Sequence, residues 1–194
     1  MTPLPVAAVL TVAGTAARRI TGLAPLTLAD AICAPAATSV CAPRDNLGLY
    51  RLLEQAPSGA ALVIEAGGRL DGGYFGELAA IEAGERGLQG LVIDGSIRDG
   101  QGIATLGFPV FHAGFEPTTC VKEHAPSVGD PVLVGGVEVA PGDQVVADSD
   151  GVLVVGRDDW SAVEAAAREL EEREVELRAA IRAGRRLSDL LGLP

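Results

Sequence analysis

The sequence predicts an α/β domain, and three observations carry that expectation. Apolar residues make up 48% of the 194-residue chain but aromatics only 4%, so the core must be built from Ala, Val, Leu and Ile. Between Leu62 and Asp94 two short aliphatic runs flank a helix-forming stretch, which reads as strand, helix, strand. Over residues 131–155, Val-rich tracts alternate with turn signals, as in several short strands of a curled or barrel-like sheet.

The elements follow in order. Pro5 to Gly14 is apolar, too short to span a bilayer and not preceded by the basic residue of a secretory signal, so it is expected to join the core of a soluble, cytoplasmic protein. Leu62-Val63-Ile64-Glu65 follows the Pro57-Ser58-Gly59 break and leads into Ala66-Gly67-Gly68, as a short buried strand leaving its edge at a loop does. Residues 76–85 are rich in helix formers, with Leu78, Ala79 and Ile81 able to share a face and Gly87 placed to stop the helix. Leu91-Val92-Ile93-Asp94 gives the returning strand, expected to end at Gly95, and Pro109-Val110-Phe111 another. Turn signals at Gly135-Gly136, Pro141-Gly142-Asp143 and Asp148-Ser149-Asp150-Gly151 divide the Val-rich stretch that follows. A charged helix is expected from about 160 to 183, with Val163, Leu170, Leu177 and Ile181 as a narrow apolar stripe that suits docking on a neighbouring subunit. One domain accounts for residues 1–194.

The formal net charge of −11 argues against a phosphate backbone as partner, because the basic residues are scattered or interleaved with acids. No stretch argues for a membrane. Cys33, Cys41 and Cys120 are odd in number and lack the close pairing of a zinc or redox motif, so buried free thiols are expected.

Spacing points to one constellation. A helix of about ten residues advances roughly 15 Å and a returning strand of about five residues roughly 16 Å, so the loop around Arg98-Asp99 comes back to the level of Gly76. Glu77, Arg98 and Asp99 are therefore expected to meet beside the free amides of Gly76, Glu77, Leu78 and Ala79. Such amides accept a carboxylate, a guanidinium forks onto carboxylate or carbonyl oxygen, and the two acids offer hard oxygen ligands to Mg²⁺ or Mn²⁺. The same residues also suit a solvated loop and a glutamate that only complements the helix dipole.

Gly76-Glu77-Leu78-Ala79 and the block from Arg86 to Asp99, together with Gly107-Phe108-Pro109-Val110-Phe111, resemble the family of 4-hydroxy-4-methyl-2-oxoglutarate aldolases and regulators of ribonuclease E activity, the RraA-like proteins. Gly135 to Asp143, Ala147 to Val152 and Asp45-Asn46-Leu47 extend the resemblance in order over about residues 31–192. It implies a three-layer β/β/α fold like that of swivelling phosphohistidine domains, and a homotrimer or hexamer with sites between subunits. It also implies that Gly76, Glu77, Leu78, Ala79 and Arg98 hold the pyruvyl end of a small oxo-acid, that Asp99 holds the metal, and that Glu174 is donated across a subunit boundary. The family pattern is an acid, twenty residues, then Arg-Asp; here the acid is Glu77 where Asp is more usual. The chain also departs between Thr11 and Leu26, which lacks the Ser/Thr followed by Asp-Ala seen in many members.

The expected activity is a metal-dependent lyase reaction that cleaves a 4-hydroxy-2-oxo acid to pyruvate, with oxaloacetate decarboxylation as companion. The base is expected to be a water acidified by the cation and steadied by Glu77 or Glu174. Lys122, the chain's one lysine, leaves little room for Schiff-base chemistry, and His112 and His124 show no ligand pattern. The rivals are a non-catalytic binding protein of the ribonuclease-regulator type, against which the retained Asp99 speaks, and a methyltransferase, for which no glycine-rich nucleotide turn is found.

Overall fold

The computed structural model describes residues 3–124 and 126–193. The unit anticipated in the middle of the chain is present: β4 (Ala61–Glu65), α3 (Glu77–Glu85) and β5 (Gly90–Ile97), with β4 and β5 parallel. Along β4, Ala61 and Val63 face one core while Leu62 and Ile64 face another, the period of two that a strand buried on both faces requires. Helix α3 stops at Glu85, with Gly87 in the left-handed region at φ 74°.

One expectation is corrected here. Strand β5 does not end at Gly95 but runs on to Ile97, past a register shift between Ile93 and Ser96. The polar residues in its second half are satisfied by distant loops: the Ser96 hydroxyl donates to the Gly72 carbonyl at 2.8 Å, and Asp94 Oδ1 accepts from the amides of Ala66 and Gly67. The connection after β5 is therefore only Arg98-Asp99.

The flanking strands are β1 (Ala17–Ile20), β2 (Ala24–Pro25), β3 (Ile32–Val40), β6 (Val110–Phe115), β10 (Gln144–Asp148) and β11 (Gly151–Val155). Among the described residues they join β4 and β5 in one mixed sheet, ordered β1-β11-β10-β3-β4-β5-β6-β2, with β7 (Ser127–Val128) on β3. The sheet curls because β3 serves both halves: residues 32–35 pair with β10, residues 36–40 with β4. Val145, Ala147, Val152 and Val154 then share a core with Val63, Val92 and Phe111 across the fold. The hairpin β8 (Val132–Val134) and β9 (Val137–Val139) adds Val132, Val134 and Val139 to that core.

Helices pack on two sides of the sheet. Helix α2 (Leu47–Gln55), α3 and α4 (Gly100–Leu106) pack on β4 and β5 through Leu49, Leu53, Ala79, Ala80 and Ile103. Helix α1 (Val6–Ala13) and the start of α5 (Arg157–Arg182) cover β10 and β11, where Val6, Val9, Val163 and Ala167 meet Val146, Leu153 and Val155. Of the apolar stripe expected on α5, Val163 is buried, Leu170 and Leu177 are half-buried and Ile181 is exposed. A short helix, α6 (Leu187–Leu190), follows. Among the described residues no helix is long and apolar enough to cross a membrane.

Candidate functional site

Three loops converge where β5 ends. Gly73 bridges Thr119, Phe75 bridges Ile97, and Asp45 bridges Val121, so segments 45–46, 73–75 and 119–121 are stitched side by side. Asp45 is the fastener. Its Oδ1 accepts from the Leu47 amide at 3.0 Å, and its Oδ2 from the amides of Glu123 and His124 at 3.0 and 2.8 Å. Burial alone would raise its pKa; the hydrogen bonds from Leu47, His124 and Glu123 together outweigh that and hold the carboxyl below the usual range.

Against this frame the structure brings together Glu77, Arg98 and Asp99. Asp99 Oδ2 lies 3.4 Å from the Glu77 amide at the start of α3 and 3.4 Å from Arg98 Nε. Arg98 Nη1 donates to Thr119 Oγ1 at 2.9 Å, so the guanidinium is steered from both ends. The first hydrogen bond of α3 is from the Ala80 amide to the Gly76 carbonyl, which leaves the amides of Glu77, Leu78 and Ala79 ahead of the helical ladder. Gly76 leaves room for this arrangement: a Cβ there would stand 2.7 Å from Asp99 Oδ2 and 3.0 Å from Arg98 Nε, so both side chains would have to shift. Asp99 itself takes the left-handed conformation at φ 56°, one of two non-glycine residues to do so among the described residues. The tight turn after β5 is thus made by the acid itself, in a conformation that costs free energy outside glycine. The Glu77 carboxylate is exposed and lies over Gly102 of α4.

A recess of about 30 Å³, the room of roughly one water, opens between Gly76, Ala79, Arg98, Asn46, Tyr50 and Thr119. Leu78, 78% exposed, stands at its rim. Cys120 also lines the recess, with its thiol pushed up to about 11 by burial, so it is no nucleophile at neutral pH. Lys122 is exposed, its Nζ 5.2 Å from the centroid of the Tyr50 ring. Burial lowers the pKa of His112, which contacts the Gly114 carbonyl, and His124 pairs with Asp45; neither joins the recess.

Glu174 is not brought to this place within the chain. It sits on α5, half-exposed, and accepts from Arg178 Nη2 at 2.7 Å. Sequence reasoning gave no role to Asn46, Tyr50 or Thr119. The loop residue Thr119 carries no periodic signal, but Asp45-Asn46 ahead of a helix does: two capping residues compete for one position, and the one displaced is free for other work.

The chemistry of the carboxylates limits which metal they suit. Among the described residues no three His, Cys, Asp or Glu side chains form a ready-made cage. Asp99 and Glu77 at the start of α3 fit a hard cation that keeps much of its water, Mg²⁺ or Mn²⁺, and not a zinc site.

Comparison with known proteins agrees with this architecture. The family model described as "RraA-like: Aldolase/RraA" matches residues 7–154. A relative from Halalkalibacterium halodurans, named "Putative 4-hydroxy-4-methyl-2-oxoglutarate aldolase", is 34% identical over 131 residues, covering 68% of this chain and 62% of that protein. The chain thus matches about three fifths of that relative's length. A crystal structure of an uncharacterized protein from Pseudomonas syringae superposes with a TM-score of 0.83 at 26% identity, over 96% of this chain and 88% of that one. The RNA-processing inhibitor RraA from Thermus thermophilis superposes with a TM-score of 0.69 at 26% identity, over 75% and 89%.

Proposed function

Since the chain belongs to the Aldolase/RraA family, we propose that it is a divalent-metal-dependent lyase that cleaves a 4-hydroxy-2-oxo acid, such as 4-hydroxy-4-methyl-2-oxoglutarate, to pyruvate and decarboxylates oxaloacetate. The observation that carries this reading is the placement of Arg98 and Asp99 against the opening of α3, with Asp99 Oδ2 3.4 Å from both the Glu77 amide and Arg98 Nε.

The start of α3 takes the carboxylate of the pyruvyl end: the amides of Leu78 and Ala79 lie ahead of the helical ladder and the dipole favours an anion, while the Glu77 amide, 3.4 Å from Asp99 Oδ2, turns to the substrate when Asp99 turns to the cation. Arg98, held by Thr119, donates to the carbonyl oxygen. Cleavage removes the proton of the C4 hydroxyl to a base, closes a new carbonyl at C4, and sends the electron pair of the C3–C4 bond into the pyruvyl fragment as its enolate; a proton on C3 then completes pyruvate. Arg98 answers the negative charge that grows on the enolate oxygen, which is where a fixed donor helps most. Asp99, with Glu77, would hold Mg²⁺ or Mn²⁺, which when bound would supply Lewis-acid charge to the developing enolate. Loss of carbon dioxide from oxaloacetate yields the same enolate, so the decarboxylase reaction needs no further residue.

The uncovered rim at Leu78 supports a site completed by a second copy, in a homotrimer or hexamer. In that assembly Glu174 from a neighbour supplies the remaining carboxylate, as the base or as its support. A non-catalytic regulatory role is the second reading, favoured by the likeness to the RNA-processing inhibitor. The test is to mix purified protein with oxaloacetate and Mg²⁺ or Mn²⁺ and follow pyruvate, with a chelator as control. Release that requires the cation supports the lyase; a rate equal to that of protein-free buffer selects the regulator.

A further inference from the structure

We infer that Asn46 reads the hydroxyl group of the substrate, an assignment that rests on the lyase reading. Asn46 is 5% exposed, and its Nδ2 donates to the Tyr74 carbonyl at 2.8 Å, which fixes the orientation of the amide. Its Oδ1 is then left as a buried acceptor with no partner. Such an atom costs free energy unless a donor reaches it.

The usual use is closed off. Asn46 stands at the N-cap of α2, where an asparagine oxygen normally accepts a helix amide, but Asp45 Oδ1 already accepts from the Leu47 amide at 3.0 Å, and no side-chain cap is made by Asn46. Among the described residues one other buried side-chain atom is unpaired, Arg69 Nε, and its guanidinium is engaged with the Cys41 carbonyl and lies outside the recess. Asn46 lines the recess together with Arg98 and Lys122. Those two cations do not serve it: Arg98 Nη1 goes to Thr119, and Lys122 stands over the Tyr50 ring.

A recess of about 30 Å³ admits one water as donor to Oδ1, and a ligand that displaces that water must bring a donor of its own. Carboxylates and the carbonyl oxygen are acceptors and would repel an amide oxygen, whereas the C4 hydroxyl of a 4-hydroxy-2-oxo acid is a donor two carbons from the carbonyl that Arg98 holds. Asn46 orients that hydroxyl; an amide is no base, so the proton leaves to another group. Oxaloacetate has no such hydroxyl in its oxo form. Asn46 thus favours aldol substrates over the decarboxylation substrate.

Two measurements test this. In a folded Asn46→Leu protein, kcat/KM on a 4-hydroxy-2-oxo acid is expected to fall roughly ten- to hundredfold more than kcat/KM on oxaloacetate. With the wild-type protein, which is independent of whether that variant folds, the 4-deoxy analogue of the same acid is expected to bind at least about tenfold more weakly than the hydroxylated compound. Equal losses on both substrates in the folded variant, or a deoxy analogue that binds as tightly as its parent, overturns the assignment. Wild-type protein that turns over neither substrate overturns the lyase reading, and this assignment with it.

Discussion

Around Arg98, hydrogen bonds reach far along the chain: Asp45 accepts from amides 78 and 79 positions away, and Arg98 donates to a hydroxyl 21 positions away. Along the outer part of α5 they stay at home, with Arg178 joining Glu174 and Glu171 at spacings of 4 and 7. Apolar side chains divide the same way. Those beneath the recess are buried, whereas Val175, Ile181 and Leu187 are 59%, 42% and 50% exposed. The chain fixes the first region by itself, and it presents the second for something outside to cover.

The largest effect is expected where that fixed region meets substrate. Arg98→Ala and Asp99→Ala should each lower cation-dependent pyruvate release by at least about a hundredfold while leaving the assembled size unchanged, as read by light scattering. Normal turnover in both variants would remove the site from this part of the molecule.

Next comes the fastener. Asp45→Asn removes the charge that three backbone amides converge on, and should cost about 2 kcal/mol of stability. For a chain of this size that lowers the thermal midpoint by roughly 4–8 °C. The sign with pH follows from the depressed carboxyl: its stabilisation is complete above the unfolded value near 4 and is lost as pH falls through the lower folded value. Acid unfolding of the wild type should therefore be steeper below about pH 4 than that of the variant, and parallel curves would show that Asp45 is not the fastener.

The presented region is tested by mixing. Glu174→Ala should lower turnover roughly ten- to hundredfold with an unchanged thermal midpoint. Co-assembly of Glu174→Ala with Arg98→Ala copies should recover activity that neither shows alone, because some sites then draw both intact groups from different copies. No recovery in verified mixed assemblies would confine Glu174 to the helix surface. The smallest effect belongs to Arg178→Ala, whose partners are solvated neighbours on one helix; scanning calorimetry should show no change in midpoint.

The two regions were not equally legible. Helix α3 and the strands around it announce themselves through aliphatic runs ended by glycines, and the meeting of Glu77 with Arg98 and Asp99 follows from lengths alone. The extent of β5 did not show, because Asp94 and Ser96 look like loop residues until Ala66, Gly67 and Gly72 are found to satisfy them. Strand β3 escaped notice because Pro35, Thr38 and Ser39 interrupt its aliphatic run, and only pairing with β10, β4 and β7 makes it the shared strand. The left-handed turn at Asp99 and the unpaired oxygen of Asn46 are products of tertiary context, which no period or propensity encodes.

Binding of oxalate, a planar dianion shaped like the pyruvate enolate, tests the central claim most directly by calorimetry with Mg²⁺ present or chelated. The wild-type protein should bind it only with the cation, and Arg98→Ala should lose that binding while keeping its fold. Equal affinity in the variant, or affinity indifferent to the cation, would contradict a lyase site built on Arg98 and Asp99.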